Sequence, residues 1–110
     1  MTDKPAPAIP PTAALAQITP KLAEVTNEVL FGDIWERPGL SKRDRSLIVV
    51  SSLISLNRVE QLGFHLQRAL DNGVTADELK EVVTHLAFYA GWPPCMSAVA
   101  ILDKVLAEAK

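Results

Sequence analysis

The chain has 110 residues, of which 48% are hydrophobic, and a formal net charge of −2. These values suit one globular domain and argue against a basic surface for nucleic acid. No run of about 18 apolar residues predicts a membrane span, and the N-terminus lacks the apolar stretch of a signal peptide. The single cysteine, Cys95, cannot form an internal disulfide, so we expect a cytoplasmic protein. From the charge and the lack of a membrane span, we expect that it binds neither nucleic acid nor a membrane.

Proline dominates the start of the chain. Four of the eight prolines lie within residues 1–11. Such a composition is typical of an extended segment, so we expect a flexible arm over residues 1–19, with at most a short helix over roughly residues 12–17. The folded domain is then expected to cover residues 20–110.

The first helix of this domain is predicted over residues 20–31. Thr19 stands at the N-cap position, and Pro20 follows at the first helical position, where its missing N–H leaves no bond unmade. Gly32 is expected to end the helix.

The second helix, over residues 42–56, begins after Ser41, which is predicted to be its N-cap. Its segment 47–56 reads LIVVSSLISL, which has too many apolar residues for a single stripe. A helix that is apolar all round needs cover on most sides, and a small helical domain offers few neighbours. The simplest cover is another subunit, so we expect a homo-oligomer.

The third helix is predicted over residues 58–71. Asn57 and Glu60 have the spacing of a capping box at its start. Gly73 is expected to end it as a residue that is free to take a positive φ.

The fourth helix, over residues 76–90, has the clearest start signal in the chain. Thr75 is the predicted N-cap, and Glu78 completes a capping box three residues later. Gly91 and Pro93 are expected to end this helix, and a fifth follows over residues 97–108. The periodicity therefore predicts an all-α fold without a sheet.

Two histidines are the residues whose side chains ordinarily titrate near neutral pH. His65 lies on one helical stripe with Gln61 and Arg68, and its simplest interpretation is a polar flank on a surface helix. His85 lies one turn before Tyr89, and its simplest interpretation is a hydrogen-bonded histidine at the edge of the core.

Arg45 and Trp92 are further candidates for a binding site. Arg45 falls in the first turn of a helix, where the macrodipole disfavours a cation. Either an internal carboxylate or an anionic substrate would explain it. Trp92 is more often a packing residue than a wall of a ligand site. The sequence contains no zinc spacing, phosphate loop or nucleophile elbow, and we expect no metal.

Three ordered strings, WERPGLSKRDRSLIVVSSLISLNR, LGFHLQRALDNGVT and ELKEVVTHLAFYAGWP, carry a resemblance to a known family. Over about residues 20–107 the chain resembles the gamma-carboxymuconolactone decarboxylase family. The resemblance implies an all-helical fold of the alkylhydroperoxidase D-like type, assembled as a trimer or a hexamer.

The peroxidase branch of that superfamily carries Cys-x-x-Cys-x-x-x-His, with a glutamate twelve residues before the first cysteine. When the motif is anchored on His65, the two cysteine positions are Arg58 and Gln61, and the glutamate position is Ser46. Cys95 lies elsewhere. A dithiol peroxidase needs a nucleophilic thiolate and a resolving thiol, so the sequence argues against that activity.

The decarboxylase interpretation suits the residues better. The family's named substrate is a lactone with two carboxylates, from which CO₂ can leave without a cofactor because the electrons pass into the conjugated lactone carbonyl. The resemblance implies His65 as the proton donor, with oxyanion or positioning contacts from His85 and Tyr89. The candidate residues for binding the substrate are Arg45, Arg58, Ser46 and Trp92.

Two alternatives from other classes stay open at this point. One is an antioxidant, peroxiredoxin-like enzyme, which would depend on Cys95. The other is a non-catalytic oligomer that binds a ligand without turning it over.

Overall fold

The computed structural model describes residues 12–109, with side chains from Ala14 onward, and this part of the chain contains helices and no strand. The expected all-α fold is therefore confirmed for these residues. Most of the predicted N-terminal arm, residues 1–11, lies outside them. The helices in chain order are α1 (Thr12–Ile18), α2 (Pro20–Val25), a π-helical turn (Thr26–Phe31), a 3₁₀ turn (Ile34–Glu36), α3 (Lys42–Ser55), α4 (Val59–Asp71), α5 (Ala76–Leu86) and α6 (Trp92–Glu108).

The predicted N-caps of α3 and α5 are confirmed. The Ser41 hydroxyl accepts a hydrogen bond from the backbone N–H of Asp44 at 3.0 Å. At α5 the Thr75 hydroxyl accepts from the N–H of Glu78, and the Glu78 carboxylate accepts from the N–H of Thr75. Both ends of this capping box satisfy N–H groups that the helix leaves unpaired.

The predicted capping box at Asn57 is wrong. Asn57 has φ +57° and belongs to the end of α3, where its N–H donates to Ile54 and the N–H of Arg58 donates to Leu53. This is a Schellman motif with asparagine in the left-handed position. The Asn57 side chain therefore does not cap α4, which begins at Val59.

The same motif ends α4. Gly73 has φ +101°, its N–H donates to Leu70, and the N–H of Val74 donates to Ala69. Glycine adopts this backbone conformation without steric cost, so the predicted end at Gly73 is confirmed.

The boundary between the last two helices differs from the prediction. Helix α5 ends at Leu86 rather than residue 90, and a turn over residues 87–90 follows. Helix α6 begins at Trp92 rather than residue 97, directly after Gly91 at φ +103°. The sequence marks Pro93 and Pro94 as helix breakers, but in the first helical turn a proline loses no hydrogen bond.

The predicted helix 20–31 is divided. Its first part is α2, and its second part is the π-helical turn Thr26–Phe31. The Thr19 hydroxyl donates to the carbonyl of Leu15 and does not cap α2. A short π-helical segment of this kind is rare and is often found at a functional site.

The hydrophobic core lies among α3, α4, α5 and α6. Helices α3 and α4 form a hairpin, and α6 packs along α4 with contacts to α3 and α5. Between the two helices of the hairpin, the buried Ser46 hydroxyl accepts a hydrogen bond from the Asn72 amide at 2.9 Å. The core side chains of these four helices are Val50, Ile54, Leu62, Leu66, Ala69, Leu79, Val83, Cys95, Ala98, Leu102 and Val105.

Helix α3 is largely covered within the chain itself. Val50 and Ile54 are buried, and Leu47 and Leu53 pack against the same core. Of its large apolar residues only Ile48 is exposed, and Leu56 is exposed just after its end. The inference that this helix needs another subunit for cover on most sides is therefore wrong, because α4, α5 and α6 already surround it.

Candidate functional site

The first candidate residue, His65, lies in the middle of α4 and is half-buried. Its ring meets the edge of the Phe64 ring, with centroids 5.0 Å apart and planes at 88°. Burial lowers the pKa of His65 below 6.5, and the positive charge of Arg68 lowers this pKa further. The imidazole is therefore neutral near pH 7 and able to accept a proton.

Arg68, one helical turn after His65, is held by three aromatic rings. Its guanidinium carbon lies 4.7 Å from the centroid of Trp35, 5.0 Å from Phe31 and 6.0 Å from Phe64. Each cation–π contact of this kind contributes about 0.5–2 kcal/mol. We call these three rings and the guanidinium the arginine cage.

The N-terminal segment supplies two walls of the arginine cage. Phe31 ends the π-helical turn, and its ring stacks on that of buried Trp35 in the 3₁₀ turn, with centroids 6.3 Å apart. Gly32 lies between them, and a Cβ atom there would come within 2.7 Å of the Glu28 carbonyl oxygen. Only glycine fits this close backbone approach, so the local sequence fixes the position of both rings.

The guanidinium of Arg68 has no protein anion beside it in the described part of the chain. No carboxylate of residues 12–109 forms an ion pair with it. Its Nε atom is covered from solvent and has no hydrogen-bond partner among these residues. A half-buried guanidinium stays charged. Because Arg68 has no anionic partner among these residues, it can bind an anion from outside them.

Arg45 lies in a different environment from Arg68. Its Nη2 donates to the backbone carbonyl of Arg37 at 3.0 Å, and its Nε is covered without a partner among residues 12–109. The carboxylate of Glu78 forms an ion pair with Arg43 and not with Arg45.

Two further candidates, Arg58 and Ser46, form no hydrogen bond or ion pair with the arginine cage among the described residues. Arg58 is exposed at the N-terminus of α4. The hydroxyl of Ser46 is buried and bonded to Asn72, so packing between α3 and α4 accounts for it.

The other candidates lie together near the turn between α5 and α6. The rings of His85 and Tyr89 are 5.0 Å apart, and Trp92 meets Phe88 edge-on at 5.2 Å. All four side chains are exposed. Within the described residues no ring contact or hydrogen bond joins them to His65 or Arg68.

Cys95 lies in the core with 3% of its surface exposed. Burial raises the pKa of the Cys95 thiol, which keeps it protonated and weakly nucleophilic at neutral pH. These surroundings argue against the peroxiredoxin-like alternative.

Among the described residues, an open groove of about 490 Å³ lies between α4, α5 and α6, and Lys80 and Asp103 are its charged residues. None of the predicted site residues lines it. Across residues 12–109, no three His, Cys, Asp or Glu side chains are grouped so that they could hold a metal ion. No helix in the same range is long and apolar enough to cross a membrane.

The sequence interpretation missed the role of Arg68. It placed Arg68 on the stripe of His65, and that shared stripe was the signal available. Two of the three aromatic rings around it, Phe31 and Trp35, come from positions more than thirty residues earlier in the chain. Local periodicity gives no sign of such contacts.

Comparison with known proteins identifies relatives along most of the chain. The model of the carboxymuconolactone decarboxylase family matches residues 20–104. The 4-carboxymuconolactone decarboxylase of Acinetobacter baylyi is 40% identical over 78 residues, which cover 71% of this chain and 58% of that protein. The nitrosuccinic acid decarboxylase of Metarhizium robertsii is 37% identical over 83 residues, covering 76% and 58%.

An uncharacterized 15.0 kDa protein of Paracoccus denitrificans is 26% identical over 97 residues, covering 86% of this chain and 72% of its own. The chain spans a little over half the length of the two decarboxylases that it matches.

Proposed function

The chain belongs to the carboxymuconolactone decarboxylase family, and from this membership we propose that it is a decarboxylase acting on a small carboxylated substrate. Two relatives named as decarboxylases support this proposal. Both names denote compounds with more than one carboxyl group, one a lactone and the other a nitro derivative of succinic acid. A dicarboxylate that loses one carboxyl group as CO₂ is thus the substrate class that fits both.

The chemistry of these two compounds needs no external electron acceptor. When the bond to the departing carboxylate breaks, its electron pair passes into the conjugated lactone carbonyl in one case and into the neighbouring nitro group in the other. A proton then adds to the carbon. The protein must therefore bind the remaining carboxylate and deliver one proton, and we propose that it does so without a metal or an organic cofactor.

We assign the proton transfer to His65. The observation that carries this assignment is a half-buried, neutral imidazole one turn from a caged cation. A neutral imidazole takes up a proton and can then give it to the substrate carbon, and binding of an anion beside Arg68 favours the protonated form. Arg45 and Arg58 stay candidates for a second contact with the substrate.

The proposal gives a role in subunit contacts to three further candidates, His85, Tyr89 and Trp92. They are exposed in the single chain, and we propose a homo-oligomer, a trimer or a hexamer, in which this surface meets another subunit. Exposed large apolar residues of α6, among them Trp92 and Met96, support an interface there. A cytoplasmic location also stays a prediction.

The test is a spectroscopic assay on 4-carboxymuconolactone and on nitrosuccinate, with and without a chelator. We expect turnover of at least one compound, and His65→Gln should lower it about 10²–10⁴-fold, the usual value of general acid–base catalysis. His85→Gln measures in parallel whether the second histidine takes part.

Three results would contradict the proposal in different ways. Full activity in His65→Gln would remove the role of that residue. Activity lost with chelator and restored by added metal would refute the cofactor-free mechanism. Absence of turnover by the wild type would refute decarboxylation of these two compounds while the family membership stands.

A further inference from the structure

We propose that Arg68 binds the carboxylate that stays on the substrate after CO₂ has left. The arginine cage holds the guanidinium in the orientation that this binding needs. This inference rests on the proposed function for the identity of the ligand as a substrate. The binding of a carboxylate at Arg68 is a separate claim that is measurable without turnover.

The geometry of the cage determines which part of Arg68 is available. Trp35, Phe31 and Phe64 lie within 4.7–6.0 Å of the guanidinium carbon and so make their contacts through ring faces and edges, not through hydrogen bonds. All five N–H donors of a guanidinium lie in its plane and point outward from its edge. A carboxylate matches that edge with two parallel hydrogen bonds.

Arg68 differs in its charged surroundings from Arg43 and Lys42, and it differs from Arg45 because Arg45 donates to the backbone carbonyl of Arg37. Arg43 has Glu78 and Asp44 beside it, and Lys42 has Glu36. For Arg68 no such carboxylate lies within ion-pair distance among residues 12–109, and its Nε has no acceptor there. A half-buried charge without a partner is unfavourable, and a ligand carboxylate would supply that partner.

The site suits a carboxylate better than a phosphate group. Arg68 is a single positive charge, and His65 beside it is neutral near pH 7 because burial and Arg68 both lower its pKa. One charge balances one carboxylate, whereas a phosphate monoester carries nearly two. Arg68 lies three positions after His65, a rise of about 4.5 Å along the helix axis. A dicarboxylate bound at Arg68 therefore has its other end within reach of the imidazole.

The test is calorimetric titration with succinate, the unsubstituted dicarboxylate, and with dimethyl succinate, its neutral diester. We expect the full chain to bind succinate and not the diester. Arg68→Met should weaken succinate binding about 10- to 100-fold. Arg68→Lys should also weaken it, because lysine keeps the charge and loses the planar fork. Arg37→Met is the matched control, since Arg37 is exposed and contributes only its backbone carbonyl to a hydrogen bond.

A second measurement uses the wild-type protein and does not depend on whether a variant folds. The Nε–H resonance of Arg68, assigned by its loss in Arg68→Lys, should shift as succinate is added. Unchanged succinate affinity in Arg68→Met, an Nε–H resonance that succinate does not move, or no succinate binding by the wild type would each overturn the inference. If only the proposed function is wrong, succinate binding still depends on Arg68, but neither assay compound is turned over.

Discussion

At the scale of single residues, His65 and Arg68 form a pair in which each changes what the other can do. The guanidinium cannot lose its proton, so its charge acts on the imidazole throughout the physiological pH range. Burial has the larger effect on His65, and the charge of Arg68 adds to it. The result is a histidine that is neutral near pH 7, one helical turn from a cation that has no ion pair among residues 12–109.

This pairing predicts the titration of His65. Its pKa, measured from the ring proton resonances by NMR, should lie below 6.5, and Arg68→Met should raise that pKa without bringing it to 6.5, because burial remains. The folded state then binds a proton at His65 less readily than the unfolded state. The free energy of unfolding contributed by this group is therefore complete above pH 6.5 and is lost as the pH falls from there through the folded-state pKa.

His85→Gln serves as the comparison variant, because His85 is exposed. The decrease in stability below pH 6.5 should be smaller in His65→Gln. A His65 pKa that is the same in the wild type and in Arg68→Met would contradict the electrostatic part of this account.

At the scale of elements, the π-helical turn Thr26–Phe31 is the segment that builds the arginine cage. It places Phe31 over Arg68, and the chain then turns at Gly32 to bring Trp35 to the same guanidinium. The charged side chain thus comes from α4, whereas two of the three aromatic rings around it come from separate elements. A change in the backbone at this turn should therefore change the position of the Arg68 guanidinium.

Gly32→Ala should disturb the cage. The new methyl group would lie 2.7 Å from the carbonyl oxygen of Glu28 and 2.9 Å from that of Asn27, so the backbone must move. Overpacking of this kind costs about 1–3 kcal/mol of unfolding free energy. We expect a lower melting temperature, a changed Trp35 fluorescence spectrum and weaker succinate binding.

Gly39→Ala is the matched control, since a Cβ there meets nothing within 4 Å. It should leave the fluorescence spectrum and the melting temperature nearly unchanged. If Gly32→Ala behaves like Gly39→Ala in all three measurements, the turn does not position the cage.

At the scale of the whole molecule, we use the distribution of exposed apolar side chains to predict the surface that would meet another subunit. Phe88, Trp92 and Met96 are each more than half exposed around the start of α6. Ile48 and Leu56 in the α3 region are also exposed, as are several large apolar residues of segment 18–34. Isolated apolar residues are normal on a protein surface, whereas an aromatic cluster of this size marks an interaction site.

We expect the protein to be an oligomer at micromolar concentration, and Phe88→Gln combined with Trp92→Gln should shift it toward the monomer in light scattering. The reason is that two aromatic side chains contribute much of the apolar area of this patch. Ile48→Gln combined with Leu56→Gln is the comparison for the α3 surface.

A shift caused only by the second pair would place the interface at α3 and contradict this assignment. A wild-type protein that is monomeric at the same concentration would refute the oligomer itself.

Local signals in the sequence were sufficient for much of the helical framework. The cap at Ser41, the capping box at Thr75 and the stop at Gly73 depend on residues within a few positions of one another, so they are visible in a short window. The same local signals led to the wrong prediction of Asn57 as an N-cap of α4. Asparagine is common both at an N-cap and in the left-handed conformation at the end of a helix. Pro93 likewise signals a break in the helix interior and a start in the first turn.

The sequence by itself thus determined the helical class, the helix starts marked by paired caps, and a histidine on an amphipathic helix as the centre of interest. Only the tertiary structure decided which cation accompanies that histidine, because Phe31 and Trp35 reach Arg68 across more than thirty residues of chain. It also decided that α3 is covered by the chain's own helices, since burial depends on how neighbours pack. Hydrogen bonds within one turn are fixed by adjacent residues, whereas the surroundings of a charge are fixed by whatever the fold brings beside it.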